Sequence, residues 1–192
     1  MPALPILSKT NRSFRKFKEN YPISEEYARK FIDYARTAAS SRNLQPLKYH
    51  IVIDAEEREK IFPLLSWAGY ISDWDGPEEG QRPTGYIIMC NDTTICPNTT
   101  NALIDAGIAA EAITLGAREM TYGGCMLTAF SKKSLKEAFS IPEHLDPIMI
   151  IALGKPTEDV RLAEVIDGDI KYYRDEKEIH YVPKRSLEEI LF

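Results

Sequence analysis

Residues 86–90 read Tyr86-Ile87-Ile88-Met89-Cys90, an apolar run without a single polar position. A strand with one face in water alternates apolar and polar side chains, so an unbroken run predicts a strand covered on both faces. A second run, Pro147-Ile148-Met149-Ile150-Ile151-Ala152-Leu153, predicts another core strand. These strands belong to the middle of a layered α+β fold.

Helical periodicity surrounds these strands. Ser24 is suited to cap a helix that extends to about residue 39, and Asp54 with Glu57 resembles a capping box for a second helix, which Pro63 is expected to kink. Further helices are predicted over 101–120 and 131–139, a strand over 49–53, and a loop over 73–83. The predicted order is helix, strand, helix, strand, helix, helix, strand and an irregular tail, which implies an α+β or three-layer single domain.

The helix predicted over 101–120 has a stripe of small side chains. Its members are Ala102, Ala106, Ala109, Ala110, Gly116 and Ala117. Small side chains allow another helix backbone to come close, either inside a domain or across a dimer interface.

Composition excludes several classes of protein. With 44% hydrophobic and 28% charged residues among 192, the chain is typical of a soluble globular protein, and no apolar run reaches the roughly 20 residues that cross a bilayer. The opening Met1–Leu7 is too short and too proline-rich for a secretory signal, so we expect a cytoplasmic protein without a membrane partner. The net charge of -5 argues against nucleic acid as the main partner.

Cysteine and histidine give no metal motif. Cys90 and Cys96 are too far apart for a zinc-finger pair, no histidine pair stands near them, and we predict no metal site. One hydrolase alternative stays open, in which Cys125 is a nucleophile with His50 or His180 as its base.

Positive charge is concentrated at the amino terminus. The first eighteen residues contain five basic side chains and no acid, although the whole chain is acidic. Within them the arm Asn11-Arg12-Ser13-Phe14-Arg15-Lys16-Phe17 mixes guanidinium groups with aromatic rings, a combination suited to a phosphate attached to a flat ring. The alternative is a solvated basic arm.

Two further segments indicate a ligand site. Residues 39–46 place five polar side chains before a proline, more than the end of one helix requires. Residues 122–130 contain Gly123 and Gly124, and a glycine pair allows the backbone to lie flat against a ligand. The alternative for this stretch is a plain loop between helices.

Four motifs, in this order along the chain, resemble the nitroreductase family: Asn11–Phe17, Ala39–Pro46, Asp105–Glu111 and Gly123-Gly124. The resemblance covers residues 10–186. It implies a homodimer with FMN at the subunit interface that uses NADH or NADPH. It also implies one domain over residues 1–192, an α+β, three-layer α/β/α fold with a central mixed, mainly antiparallel sheet.

The resemblance also implies which residues bind FMN. The phosphate, the ribityl chain and the pyrimidine edge are expected to meet Arg12, Ser13 and Arg15. The segment that approaches the flavin bound mainly by the other subunit contributes Ser40, Ser41, Asn43 and Gln45. The stretch over one face of the isoalloxazine, with a backbone N–H directed at the reactive ring nitrogen, is Met126, Leu127, Thr128 and Ala129. The carboxyl-terminal basic pair that closes on the phosphate is Lys184 and Arg185.

Three positions depart from the family pattern. The family often has arginine where this chain has Asn11, proline where it has Ala39, and an aromatic residue where it has Leu47. The phosphate contact expected at position 11 is then either missing or supplied by Lys184 or Arg185.

The implied chemistry belongs to the flavin, which agrees with the lack of an obvious catalytic acid, base or nucleophile. Hydride passes from NAD(P)H to the flavin, and after the product leaves an electron-poor acceptor such as a nitroaromatic or quinone enters the same place, a ping-pong cycle. The alternative within this fold is a flavin-binding protein without NAD(P)H reductase activity. The resemblance also implies that each site needs two chains, so we expect an extensive interface between them. The alanine-rich helix is the expected centre of that interface, because its small side chains allow close contact.

Overall fold

The computed structural model describes residues 4–71 and 74–192. Its helices are α1 (Leu4–Thr10), α2 (Glu25–Arg36), α3 (Ala55–Ile61), α4 (Thr99–Glu119), α5 (Lys132–Phe139) and α6 (Leu187–Ile190). Its strands are β1 (Leu47–Val52), β2 (Gly85–Asp92), β3 (Gly123–Leu127), β4 (Leu145–Gly154), β5 (Val160–Glu164), β6 (Tyr173–Arg174) and β7 (His180–Lys184). Short 3₁₀ turns lie at Ser41–Asn43 and Phe62–Leu64.

The helix starts follow the predicted caps. Ser24 accepts a hydrogen bond from the Tyr27 backbone N–H, and the Asp54 carboxylate accepts from the N–H groups of Glu56 and Glu57. Pro63 does not kink α3. The helix has already ended at Ile61, and Pro63 lies in the 3₁₀ turn that follows.

The main sheet has the strand order β1-β2-β4-β3, and each of its pairings is antiparallel. The sheet is therefore antiparallel throughout rather than mixed. The parallel pairing occurs in a second, smaller sheet with the order β5-β7-β6, where β5 runs parallel to β7. The tail expected to be irregular forms this smaller sheet.

Helices cover both faces of the main sheet, so the predicted three layers are confirmed. Ile87 and Met89 pack in one apolar cluster with residues of α2 and α4. Ile88 and Cys90 face the opposite way and pack in a second cluster with Ile61 of α3 and residues of α5. Alternate side chains of one apolar strand thus enter two different cores.

The small side chains of α4 lie inside the subunit. Ala106, Ala110 and Ala117 are fully buried in the cluster shared with α2. A Cβ on Gly116 would lie 2.6 Å from Cε2 of Tyr34 on α2, so this position needs glycine for the close helix contact. The stripe therefore serves packing against the chain's own α2, and the expectation that the helix forms the centre of a dimer interface stays a prediction.

The loop predicted over 73–83 is described from Trp74 onward; Asp73 lies outside the described residues. From Trp74 to Pro83 the chain contains neither helix nor strand. Among the residues described, no helix combines the length and apolar character needed to cross a bilayer.

Candidate functional site

The basic arm is an integral part of the fold. Phe14 and Phe17 are buried, and the Phe14 backbone N–H donates to the Gly124 carbonyl at 3.0 Å. Ser13 and Gly124 form a parallel bridge, so the arm lies along the free edge of β3. The alternative of a solvated basic arm is therefore wrong.

The glycine pair on β3 makes room for this arm. A Cβ on Gly123 would lie 2.5 Å from Cγ of Pro156 and would also collide with the Phe14 ring. A Cβ on Gly124 would lie 3.2 Å from the Ala152 carbonyl oxygen. The first glycine therefore serves the packing of the arm, whereas Gly124 also faces the neighbouring cavity.

A cavity of about 320 Å³, the arm cavity, opens beside the arm. It is lined by Asn11, Arg12, Ser13, Arg15, Glu111, Thr114, Gly124, Met126, Tyr172, His180, Val182 and Lys184. Its volume lies within the usual range of small-molecule sites, roughly 300–1,000 Å³.

The periodicity of each element selects these lining residues. His180, Val182 and Lys184 are alternate residues of β7, and Gly124 and Met126 are alternate residues of β3, so each set shares one face of its strand. By the same rule Leu127 faces the opposite side, where it is buried in the second core cluster.

Arg12 brings an unpartnered donor to the arm cavity. Its Nη2 donates to the Ser8 carbonyl at 2.6 Å, but its Nε is buried and has no hydrogen-bond partner among the described residues. Burial lowers the pKa of this guanidinium, and nearby Glu111 acts in the opposite direction. An anion in the cavity would supply both charge and a hydrogen-bond acceptor.

Arg15 is the most buried cation of the arm. Its guanidinium lies 4.8 Å from the centre of the Tyr172 ring, and its Nη1 donates to the Ser13 carbonyl at 3.3 Å. The Arg15 Nε, like that of Arg12, is buried without a partner in the part of the chain that the structure describes. Two guanidinium groups with unused donors thus face one cavity, which Lys184 also lines.

A buried polar cluster adjoins the cavity. Glu158 pairs with Arg174 at 3.3 Å, and His180 Nδ1 lies 3.9 Å from the same carboxylate oxygen. His180 is fully buried and stacks on Tyr172, with ring centres 5.4 Å apart. Burial, followed by the charges of Arg15 and Arg174, lowers the pKa of His180 to about 4, so the imidazole is neutral at physiological pH.

The segment of residues 40–45 lies at a different place on α4. Buried Asp105 accepts from the Ser40 hydroxyl at 2.6 Å and from the Ser41 N–H at 2.8 Å. The segment is strained, because three non-glycine residues have positive φ: Arg42 (53°), Asn43 (55°) and Gln45 (51°). Such strain persists where neighbouring contacts enforce it, and it is frequent at functional sites. Ser40 and Gln45 line a separate cavity of about 160 Å³.

The structure thus distributes the predicted site residues over two places and the surface, apart from Leu127, which is buried in the second core cluster. Those in the arm cavity are Arg12, Ser13, Arg15, Met126 and Lys184. Those on the strained segment are Ser40, Ser41, Asn43 and Gln45. Thr128 and Ala129 lie exposed beyond the end of β3, and Arg185 forms an exposed ion pair with Glu189 at 3.4 Å. Their roles toward a cofactor stay predictions.

Several lining residues were not predicted. Glu111 and Thr114 occupy α4, and Asn11 donates to both, at 3.2 and 3.0 Å. Asn11 is thereby held against α4 while it lines the cavity. Tyr172, His180 and Val182 belong to the tail, where the alternation of His180, Val182 and Lys184 was an available signal of a strand face.

The hydrolase alternative finds no support in the geometry. Cys125 is buried, and burial raises the pKa of its thiol to about 11, opposite to what a nucleophile requires. His50 lies on β1, at the opposite edge of the main sheet from β3. Across the described ranges, 4–71 and 74–192, no three His, Cys, Asp or Glu side chains are grouped as a metal ion requires.

Comparison with known proteins identifies the family. The family model described as "Nitroreductase family" matches residues 9–80 and 97–155, which include the arm, the strained segment and the glycine pair. The chain belongs to the nitroreductase family. Its α+β architecture agrees with the solved structures of nitroreductase-like proteins.

Relatives of this nitroreductase family member are distant in sequence. A protein of Methanothermobacter thermautotrophicus, provisionally named NADH dehydrogenase/NAD(P)H nitroreductase, is 27% identical over 165 residues, which cover 84% of this chain and 81% of the relative. A provisionally assigned nitroreductase from Exiguobacterium sibiricum, solved in complex with FMN, superposes with a TM-score of 0.69 at 19% identity, covering 82% of this chain and 90% of that one. NADPH:FMN oxidoreductase from Vibrio harveyi, solved with NAD⁺, gives a TM-score of 0.67 at 22% identity, covering 90% and 76%.

Proposed function

We propose that this protein is an FMN-dependent NAD(P)H oxidoreductase that transfers hydride through the flavin to an electron-poor acceptor such as a nitroaromatic or a quinone. The observation that supports this most directly is the arm cavity, where the unpartnered, buried Nε atoms of Arg12 and Arg15 face a space large enough for a small molecule. The relatives named for NAD(P)H oxidation and the FMN-bound neighbour support the same activity.

The residues of the arm cavity fit a phosphorylated flavin. A phosphate dianion suits the guanidinium of Arg12 and the ammonium group of Lys184, because charge-assisted hydrogen bonds are about twice as strong as neutral ones. Arg15 is held by Tyr172 farther inside the site and suits the pyrimidine carbonyl edge of the flavin. Gly124 lacks a side chain, so the backbone of β3 is accessible from the cavity.

The protein supplies position and charge. When bound, FMN supplies the hydride-transfer chemistry between NAD(P)H and the acceptor. With FMN bound, Arg15 would stabilise negative charge at the pyrimidine edge, because it is a fixed and largely buried cation. The cluster of Glu158, Arg174 and His180 adds no free acid, since the carboxylate is paired and the imidazole is neutral.

The site is completed by a second copy of this chain. Asp105, which holds the strained segment, and Thr114, which lines the arm cavity, are nine residues apart on α4 and therefore about 180° apart around its axis. One molecule of FMN is therefore not expected to reach both flanks of the same helix. The exposed side of α4 between those flanks presents Gly107 and the apolar side chains Ile104 and Ile108.

A twofold dimer that pairs these exposed sides brings the segment 40–45 of one protomer toward the arm cavity of its partner. Ile104 and Ile108 are 57% and 40% exposed, and burial of both against the partner's equivalent side chains would stabilise the contact. Each dimer then has two equivalent FMN sites, and each site uses both chains. The strained φ angles of the segment agree with a role in binding rather than in folding.

The experiment that tests the proposal starts from the visible spectrum of the purified protein, before and after incubation with FMN. We expect flavin absorption at one FMN per chain, and oxidation of NADH or NADPH with nitroaromatic and quinone acceptors. Parallel double-reciprocal plots are the expected signature of the ping-pong cycle. Bound flavin without NAD(P)H oxidation would favour a passive flavin-binding protein. A protein that retains no flavin absorption once free FMN has been removed would overturn both interpretations.

A further inference from the structure

Glu158 lies between β4 and β5 and contacts two distant parts of the chain with one carboxylate. Its Oε1 accepts from the backbone N–H groups of Arg15 and Lys16, the latter at 3.2 Å. Its Oε2 accepts from Nη2 of Arg174 on β6 at 3.3 Å. One oxygen thus serves the arm, and the other serves the small carboxyl-terminal sheet.

The arm needs these two hydrogen bonds. The neighbouring amides of the arm have backbone partners, since Phe14 N–H donates to Gly124 at 3.0 Å and Phe17 N–H donates to Gln81 at 2.9 Å. Arg15 and Lys16 lie between them and use Glu158 instead. A buried backbone N–H without a partner is costly, so the carboxylate completes the hydrogen bonding of the arm.

The same carboxylate also binds β6, whose partner strand β7 supplies another part of the cavity lining. Arg174 belongs to β6, which pairs with β7 through Arg174 and His180. The strand β7 brings His180, Val182 and Lys184 to the cavity wall. The side chains of Glu158 and Arg174 are only 2% and 9% exposed, so the pair is not screened by water.

From this geometry we infer that Glu158 is a positioning residue of the cofactor site, which sets the distance between the cations of the arm and Lys184 of β7. Glu158 is not among the residues that line the cavity, so it acts through Arg15 and Arg174 rather than on the ligand. This inference rests on the proposed FMN site. Without the carboxylate, no negative charge offsets the repulsion between the guanidinium groups of Arg15 and Arg174. We therefore expect the arm and β7 to move apart.

Glu158→Gln removes the charge with little change in shape, and Glu158→Asp keeps the charge on a shorter side chain. The matched control is Asp159→Asn, since the neighbouring Asp159 forms an exposed ion pair with Arg161. The first measurement is amide hydrogen exchange without flavin. We expect Glu158→Gln to speed exchange in residues 13–18 and 172–184, Glu158→Asp to do so less, and the control to match the wild type.

The second measurement is the dissociation constant of FMN by fluorescence titration. Loss of this charged contact should raise the constant by about tenfold in Glu158→Gln, less in Glu158→Asp, and not in the control. In a double-mutant cycle with Arg15→Ala, the effect of Glu158→Gln should shrink, because the residue acts through Arg15. A merely structural role would lower the melting temperature and leave no such coupling.

The outcomes separate the two proposals. Wild-type protein that binds no FMN would refute the proposed function, while the exchange experiment still tests the positioning role. Unchanged exchange in Glu158→Gln, or FMN affinity within twofold of the wild type, would overturn the role of Glu158. If Glu158→Gln does not fold, Glu158→Asp decides by the same two measurements.

Discussion

Arg15 is the residue on which the proposed cofactor site depends most. Its guanidinium is nearly buried, rests on Tyr172 and has an unused Nε donor. Arg15→Ala removes a charge-assisted contact, which should weaken FMN binding by about tenfold to a hundredfold. Fluorescence titration with FMN measures this, with Arg29→Ala as the control, because Arg29 is an exposed residue of α2 paired with Glu25. Unchanged affinity together with an unchanged rate of flavin reduction would remove Arg15 from the site.

The lowered pKa of His180 leads to a prediction of how the free energy of unfolding depends on pH. The pKa of His180 is lowered from 6.5 to about 4 in the folded protein, so the unfolded chain binds a proton first as the pH falls. The neutral imidazole therefore contributes stability that is complete above about pH 6.5 and lost as the pH falls through about 4, on the order of 3 kcal/mol.

The protonated ring would face Arg15 and Arg174, which oppose its charge, and Glu158, which favours it. Urea unfolding across this pH range measures the effect. His180→Gln should flatten the loss of stability relative to the wild type, since glutamine does not titrate. If the free energy of unfolding falls equally with pH in both proteins, His180 does not cause the loss of stability between pH 6.5 and 4.

At the scale of elements, the arm and β3 depend on each other. Gly123→Ala would place a methyl group against Phe14 and Pro156, so we expect a loss of about 1–3 kcal/mol in the free energy of unfolding. The displaced arm should also bind FMN more weakly. Urea unfolding and FMN titration measure both effects, and Gly69→Ala is the control, because a Cβ there meets nothing within 4 Å. Equal losses in the two variants would contradict the packing argument.

The sequence predicts best the elements in which apolar side chains follow a clear pattern. The strands β2 and β4 contain the predicted apolar runs, and α2 begins at the predicted cap Ser24. The helices α4 and α5 were predicted from their apolar spacing, and the structure shows that Asn98 and Ser131 cap them. The strand β3 was missed because it has five residues and begins with Gly123-Gly124, which local propensity assigns to a loop. Its pairing with β4 depends on contacts distant in sequence.

The tail was missed for a related reason. The strands β5 and β7 are half-exposed, and their parallel pairing joins residues twenty positions apart, such as Val160 and His180. No short-range pattern specifies such a pairing. The concentration of positive charge at the amino terminus indicated Arg12 and Arg15, and the family resemblance indicated Lys184. Glu158 was not predicted, because its partners Arg15 and Arg174 are brought together only by the fold.

For the whole molecule, the proposed division of the FMN site over two flanks of α4 makes a quantitative prediction. An arm variant, Arg15→Ala, and a segment variant, Asn43→Ala with Gln45→Ala, should each impair every site in their own homodimers. In a mixed dimer one site collects both defects, and the other combines an intact arm with an intact segment. Random mixing should therefore restore about a quarter of the sites, measured as tightly bound FMN. Mixtures that bind no more FMN than the average of the two variants would show that each chain forms its site alone.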